Sequence, residues 1–315
     1  MNKRINKESE RKDMKTCEIL LAEYLKSESK IYGVEKINFI NVGENDVYNI
    51  SAPFVDNDKT IIAGRVEARD SEHSTVYFFE KNDEGWSPID SYQTFSLQDP
   101  FFTKINNELI VGGVEIFPHP EIEGTLKWRT IFYKGKDVAS LQRFFVGPDG
   151  MKDLRLVQLL DKRIGILTRP QGEKGGRGRI GFSIINTLEE LNIKVIEDSP
   201  LLDGLFVDEE WGGANEARPL NETTLGILGH VACFDKDGNR HYYPMTFELN
   251  INTLEVKNQK LIAVRKDFKP GQAKRPDLED VVFSGGLEIK EDKATLYAGI
   301  SDAEAQFIII DNPFK

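Results

Sequence analysis

Asp99 followed by Pro100, the adjacent Lys152 and Asp153, Glu216 with Arg218 two residues on, and Asp280 each open a β-rich segment of the chain. Arg65, Glu67, Glu115, Arg169, His230 and Asp302 each follow an apolar run within such a segment. Charge at strand ends is ordinary, because strand ends meet water. Gathered from separate segments into one mouth, the same groups acquire a chemistry. Acidic and basic side chains together hold sugar hydroxyls, and a carboxyl kept protonated among them is the general acid that glycoside cleavage requires. An architecture must then bring residues far apart in sequence to a common axis.

The elements that could do so begin after Gly33. Short β-rich runs at residues 60–63, 75–79, 109–111, 130–133, 164–167, 180–184, 225–229, 243–249, 295–299 and 306–310 are punctuated by Gly, Asn and Asp. Five segments share one plan of apolar run, polar turn and second β-run, and start near Ala52, Asp99, Asp153, Asn215 and Asp280, 47 to 65 residues apart. That period suits a four-stranded blade with a variable loop. The expectation is an all-β chain, a five-bladed β-propeller at residues 35–315 with the first strand of each blade lining a central funnel. Residues 1–34 form a short N-terminal helical extension. In it Cys17, Leu20, Leu21, Tyr24 and Leu25 recur at helical spacing, giving one apolar side that either packs on the propeller or joins two copies into a homo-oligomer.

Composition narrows the partners. The 315 residues are 39% hydrophobic and 30% charged, with a net charge of -11, which opposes nonspecific nucleic-acid binding. No run approaches the ~20 apolar residues of a membrane span, and the charged residues 1–16 lack a signal-peptide core, so no membrane association and a cytoplasmic location are expected. Cys17 and Cys233 are too few for a disulfide framework. His73, His119 and His241 lack ligand spacing, so neither a metal nor a cofactor is expected. The glycine-rich run at residues 172–178 lacks the ending of a phosphate-cradling P-loop. Trp211, beside Gly212 and Gly213, reads either as an aromatic face for a sugar or as a buried ring between blades.

The segments QDPFFTKINNELIVGG, KDLRLVQLLDKRIGILTRPQG, WGGANEARPLNETTLGILGHVACFDKDGN and DVVFSGGLEIKEDKATLYAGISDAEAQF resemble successive blade motifs of glycoside hydrolase family 130, the mannoside phosphorylases and mannosidases. Over most of its length, including DVYNISAPF and GRVEARDSEHSTVYFFE, the chain resembles more nearly the domain of unknown function family 1861. The resemblance implies a five-bladed propeller that cleaves a small β-mannoside with inversion, for example a mannosyl-N-acetylglucosamine, with water or inorganic phosphate as acceptor. It places the general acid on Asp99 of the Asp-Pro motif, sugar contacts on Arg65 and Asp302, and an anion site on Lys152 and Arg169, although Thr168 stands where the phosphorylases commonly carry histidine. Asp153, Arg218 and His230 are further substrate-binding candidates at funnel positions. Hydrolysis would need a second carboxylate to activate water, and Glu216, Glu67 and Glu115 are the candidates, Glu216 slightly ahead because it opens a blade. A sugar-binding propeller without catalysis is the alternative reading.

Overall fold

The computed structural model describes residues 14–315. The chain enters through helix α1 (Cys17–Lys26) and strand β1 (Gly33–Lys36) and then builds five antiparallel sheets in succession, the blades of a propeller. Blade I holds β2 (Asp46–Tyr48) and β3 (Phe54–Asp56), both paired with β4 (Lys59–Glu67), then β5 (Thr75–Lys81) and β6 (Trp86–Pro88). Blade II is β7 (Gln98–Ile105), β8 (Glu108–Pro118), β9 (Leu126–Gly135) and β10 (Gln142–Val146). Blade III has three strands, β11 (Arg155–Gln158), β12 (Ile164–Thr168) and β13 (Gly181–Ile185). Blade IV is β14 (Trp211–Pro219), β15 (Thr224–Phe234), β16 (Arg240–Asn250) and β17 (Val256–Leu261). Blade V is β18 (Val282–Lys290), β19 (Lys293–Ile300) and β20 (Glu304–Asp311), with β1 as its outermost strand, so the two ends of the described chain share a sheet. That pairing runs from Gly33 opposite Ile309 to Lys36 opposite Gln306, and β1 straddles the boundary expected after residue 34.

The blades hold together through the two faces of each strand. In β4, Ile61 and Ala63 pack toward Leu109, Val111 and Ile131 of blade II, while Ile62 packs on the other side with Ala305 of blade V. In β8, Leu109 and Val111 face back to blade I, and Ile110 faces Leu156 and Ile166 of blade III. Period-two alternation thus glues each sheet to both neighbours, each fully buried aliphatic side chain contributing about 1.5–3 kcal/mol. The turns that reverse β3 into β4 and β7 into β8 carry positive φ at both central residues, Asn57 and Asp58 in one and Asn106 and Asn107 in the other. Asn and Asp tolerate that conformation, and its twist suits a two-residue hairpin.

Helix α1 is shorter than the helical extension expected over residues 1–34, and the part of that expectation on residues 1–13 lies outside the described residues. It starts where the Thr16 side chain accepts a hydrogen bond from the Ile19 amide, and its last turn ends in Lys26, favourable to the helix dipole. Of its expected apolar side, Cys17, Leu20 and Tyr24 are buried against blade IV while Leu25 stays exposed, and the Tyr24 hydroxyl donates to Asp267 at 2.7 Å.

Candidate active site

One local irregularity, repeated around the ring, makes the site. The innermost strand of a blade bulges or breaks at its funnel end. The β7–β8 register slips between Gln98 and Phe101, the β14–β15 register between Ala214 and Glu216, and the β18–β19 register between Ser284 and Gly286. Blade I breaks between β2 and β3 just after Asn49, and Asp153 stands just before β11. Asn49, Asp99 and Asp153 have φ of 44°, 51° and 53°, a left-handed conformation that Asn and Asp adopt more readily than most residues. A bulge re-aims a side chain that the pleat would otherwise send between blades. The three side chains line a common central cavity of about 540 Å³.

On one side of that cavity Asp99 Oδ1 accepts hydrogen bonds from Asn49 Nδ2 at 2.8 Å and Arg65 Nη1 at 3.1 Å. Arg65, its guanidinium 4.7 Å from the centre of the Tyr48 ring, also donates from Nε to Ser74 Oγ at 2.8 Å and from Nη2 to Glu67 Oε2 at 2.8 Å. Burial by itself would raise the Asp99 pKa, but the charges of Arg65 and Lys152 and the Asn49 hydrogen bond outweigh it and hold the carboxyl below its ordinary range. Asp302, which lines the same cavity, is displaced the other way: burial raises it, and the attraction of Arg65 does not compensate. Two carboxyls of one cavity are therefore driven apart in proton affinity.

Across the cavity stand Asp153, Arg169 and His230. Arg169 Nε donates to the Gly212 carbonyl at 2.9 Å and lies 3.5 Å from Asp153 Oδ2. It passes so close to Gly178, φ 141°, that a Cβ there would sit 2.7 Å from Arg169 Nη2, so the glycine-rich run makes room for an arginine rather than cradling a phosphate. His230 shares a hydrogen bond of 2.9 Å with Asn215 Oδ1 and stacks on Tyr242; burial, against the pull of Asp153, depresses its pKa to about 4, leaving the ring neutral at physiological pH. Lys152 sits 5.5 Å from the centre of the Trp128 ring, and burial lowers its pKa against the opposing pull of Asp99 and Asp153. Asn49 Oδ1 and Trp128 Nε1 are buried without a hydrogen-bond partner among the described residues. Both belong to residues of the cavity wall, where a hydroxyl-rich ligand could satisfy them.

Arg65, Asp99, Lys152, Asp153, Arg169, His230 and Asp302 are thus brought together, and the other candidates are not. Glu67 lies behind Arg65 and is saturated, accepting from the Tyr48 hydroxyl at 2.6 Å and also from Ser74, Arg65 and Lys274. Burial raises its pKa, but Arg65 and those hydrogen bonds bring it below the usual carboxylate range, so it is no free base for water. Glu115 is paired with Arg129 Nε at 2.7 Å across β8 and β9, outside the cavity wall. Glu216 accepts from Arg218 and from the Leu287 amide at 2.8 Å, fastening blade IV to blade V, and neither it nor Arg218 lines the cavity. Asp280 likewise faces away, holding His241 and Tyr243. Sequence reasoning missed Asn49, Trp128, Tyr242 and the rim arginines Arg177, Arg240 and Arg275. Of these only Asn49 carried a signal, three residues before the first segment start. Trp211 is buried and lines the cavity as well, donating from Nε1 to the Tyr242 hydroxyl at 3.0 Å.

A family profile described as "Protein of unknown function (DUF1861)" matches residues 23–315. Among solved structures, MPT-4, a mannose phosphorylase from Leishmania mexicana in complex with phosphate ion, is 33% identical, with a TM-score of 0.87 over 94% of this chain and 93% of that one. MPT-1, a GDP-Man-dependent mannosyltransferase from the same organism, is 29% identical, with a TM-score of 0.85 over 95% of both chains. The β-1,2-mannobiose phosphorylase from Listeria innocua shares the fold at 16% identity, with a TM-score of 0.61 over 91% of this chain and 93% of that one. Among curated protein sequences no significant match is found.

Proposed function

The chain belongs to the DUF1861 family, and from that premise we propose that it is an inverting phosphorylase of a small β-mannoside, with inorganic phosphate as the nucleophile. The observation that carries this reading is the content of the cavity: Lys152 and Arg169 present cationic N–H groups across from Asp99, while the three glutamates that could have activated water are saturated or stand outside. Phosphate brings its own negative charge and needs no base, and a guanidinium with a lysine is a fitting cradle for it. The phosphate-bound mannose phosphorylase from Leishmania mexicana, similar along nearly the whole chain, supports the choice of acceptor.

In this reading the Asp99 carboxyl gives its proton to the glycosidic oxygen, directly or through a sugar hydroxyl. The bond from that oxygen to C1 breaks, and a phosphate oxygen forms a new bond to C1 from the opposite face. The products are α-mannose 1-phosphate and the free leaving sugar. Asp99 finishes as a carboxylate, the state that Arg65 and Asn49 stabilise. Asp302, whose burial raises its proton affinity, and Asn49 line the cavity wall where mannose hydroxyls would sit.

The test is incubation with β-mannosyl disaccharides with and without phosphate. Mannose 1-phosphate forming only with phosphate, and Asp99→Asn lowering kcat by about 100- to 10,000-fold, are the expected results. Free mannose released without phosphate would overturn the acceptor and assign the activation of water to another carboxyl of the cavity wall, Glu72, Asp153 or Asp302. No turnover in either arm would leave a sugar-binding propeller.

A further inference from the structure

The loop between β17 and β18 does more than connect blades IV and V. It reaches across the cavity mouth to blade I. Arg69 Nη1 donates to Gln272 Oε1 at 3.4 Å, Arg275 Nη1 is 3.3 Å from Glu72 Oε1, and the Lys274 amide donates to the Ser301 carbonyl at 3.0 Å. At its centre Lys274, with a side chain only 5% exposed, donates from Nζ to the Ser71 carbonyl at 2.6 Å, lies 3.2 Å from Glu72, and is in direct contact with Glu67. A buried lysine is costly unless its charge is matched, so its seat between blades calls for an account beyond loop anchoring.

We propose that Lys274 is a positioning residue for Asp99: it engages Glu67 from behind and so leaves the Arg65 fork free to hold the proton-donating carboxyl. The inference rests on the phosphorylase reading for its consequence in catalysis but not for its electrostatics. Glu67 has two oxygens with distinct duties. Oε1 takes the Tyr48 hydroxyl and Lys274, and Oε2 takes Ser74 together with Nε and Nη2 of Arg65. The remaining nitrogen of the fork, Nη1, goes to Asp99. With Lys274 in place, Glu67 has two cations to balance it. Without Lys274 the Glu67 carboxylate leans on Arg65 alone, and the attraction of Arg65 for Asp99 is offset by a bare negative charge directly behind it. Glu72 lies 3.7 Å from Arg65 Nη2 and 3.2 Å from Lys274, and the other charged or titratable groups acting on Asp99 are Lys152, Arg155, His230 and Asp302, of which Asp302 also feels the Lys274 charge.

The sign follows. Loss of the Lys274 charge makes the Asp99 carboxylate less stable, so Asp99 keeps its proton to higher pH. In Lys274→Met the basic limb of the pH profile of kcat is expected to move up by about one unit, within the range that a neighbouring charge gives a carboxyl, with Lys274→Arg restoring the wild-type limb. The same shift is read without turnover by 13C NMR titration of labelled aspartate carboxyls, the Asp99 signal being assigned as the one missing from Asp99→Asn. Glu67→Gln, which removes the charge that Lys274 matches, should move the titration down. A Lys274→Met protein that folds and titrates Asp99 at the wild-type pH overturns the inference, whether or not its kcat falls. If the carboxyl shifts as expected in a protein that releases no mannose 1-phosphate, the phosphorylase reading fails and the positioning role stands.

Discussion

As the proposed acid Asp99 presents a difficulty: Arg65 and Lys152 hold its carboxyl below the ordinary range, and an ionised carboxyl has no proton to give. In the phosphorylase reading phosphate would resolve it: a dianion seated on Lys152 and Arg169 would offset the positive charge that lowers Asp99, so its binding would raise the carboxyl's pKa and draw in a proton. Binding of sulfate, which does not itself titrate near neutral pH, should therefore be accompanied by proton uptake. Calorimetry in buffers of different ionisation heat measures this, and the uptake should vanish in Asp99→Asn. At this scale the sequence disclosed position better than role. Asp99, Asp153 and Asp302 stand at recurrent places in the repeat and so could be placed near one mouth. The glutamates went astray because a repeat does not tell which face a side chain takes: Glu216 follows the bulge at Asn215, and the slip sends it between blades instead of into the funnel. Lys274 lies in a loop outside the repeat, and nothing local distinguishes it from any other surface lysine.

The elements explain why so few side chains can be altered at the ring's inner edge. On β19, Gly299 faces Asn49 where blades V and I meet, and a Cβ there would lie 2.0 Å from Asn49 Oδ1 and 2.6 Å from its backbone nitrogen. Backbone cannot swing aside as the tip of a long side chain can. Gly299→Ala is expected to cost about 1–3 kcal/mol in stability, the usual range for forced overpacking, and to displace Asn49 from Asp99. Chemical denaturation checks the first effect, and a fall in kcat larger than any rise in KM checks the second. The five blades themselves were readable because each repeat carries its own turn chemistry and alternation, local properties that survive translation around a ring. The departures from the pattern were not: the third blade stops at three strands, the first breaks its inner strand, and β1 belongs to the last blade. The last of these is settled by contact between segments distant in sequence, Gly33–Lys36 against Gln306–Ile309.

The molecule as a whole bears a net charge of -11 yet gathers Arg65, Lys152, Arg169, Arg177, Arg240 and Arg275 around one cavity against the carboxylates of Glu72, Asp99, Asp153 and Asp302. Under the proposed function an anionic nucleophile would be repelled at long range and attracted at close quarters. Salt screens the first effect strongly and the second weakly, since the Debye length falls from about 30 Å to about 8 Å between 0.01 and 0.15 M. The KM for phosphate should accordingly change by less than about twofold over that range, whereas an exposed cationic patch would lose affinity steeply; steady-state kinetics at several ionic strengths decides it. Among the described residues no helix is long and apolar enough to cross a membrane. The sheet shared by β1 and β20 also governs how such a molecule comes into being. During translation β1 leaves the ribosome before any of the blades and its partner β20 only after four of them, so β1 waits with an unsatisfied edge in the meantime. Lys274 and Asp302 both follow blade IV in the chain, so a nascent chain has no finished cavity until its ring has snapped shut.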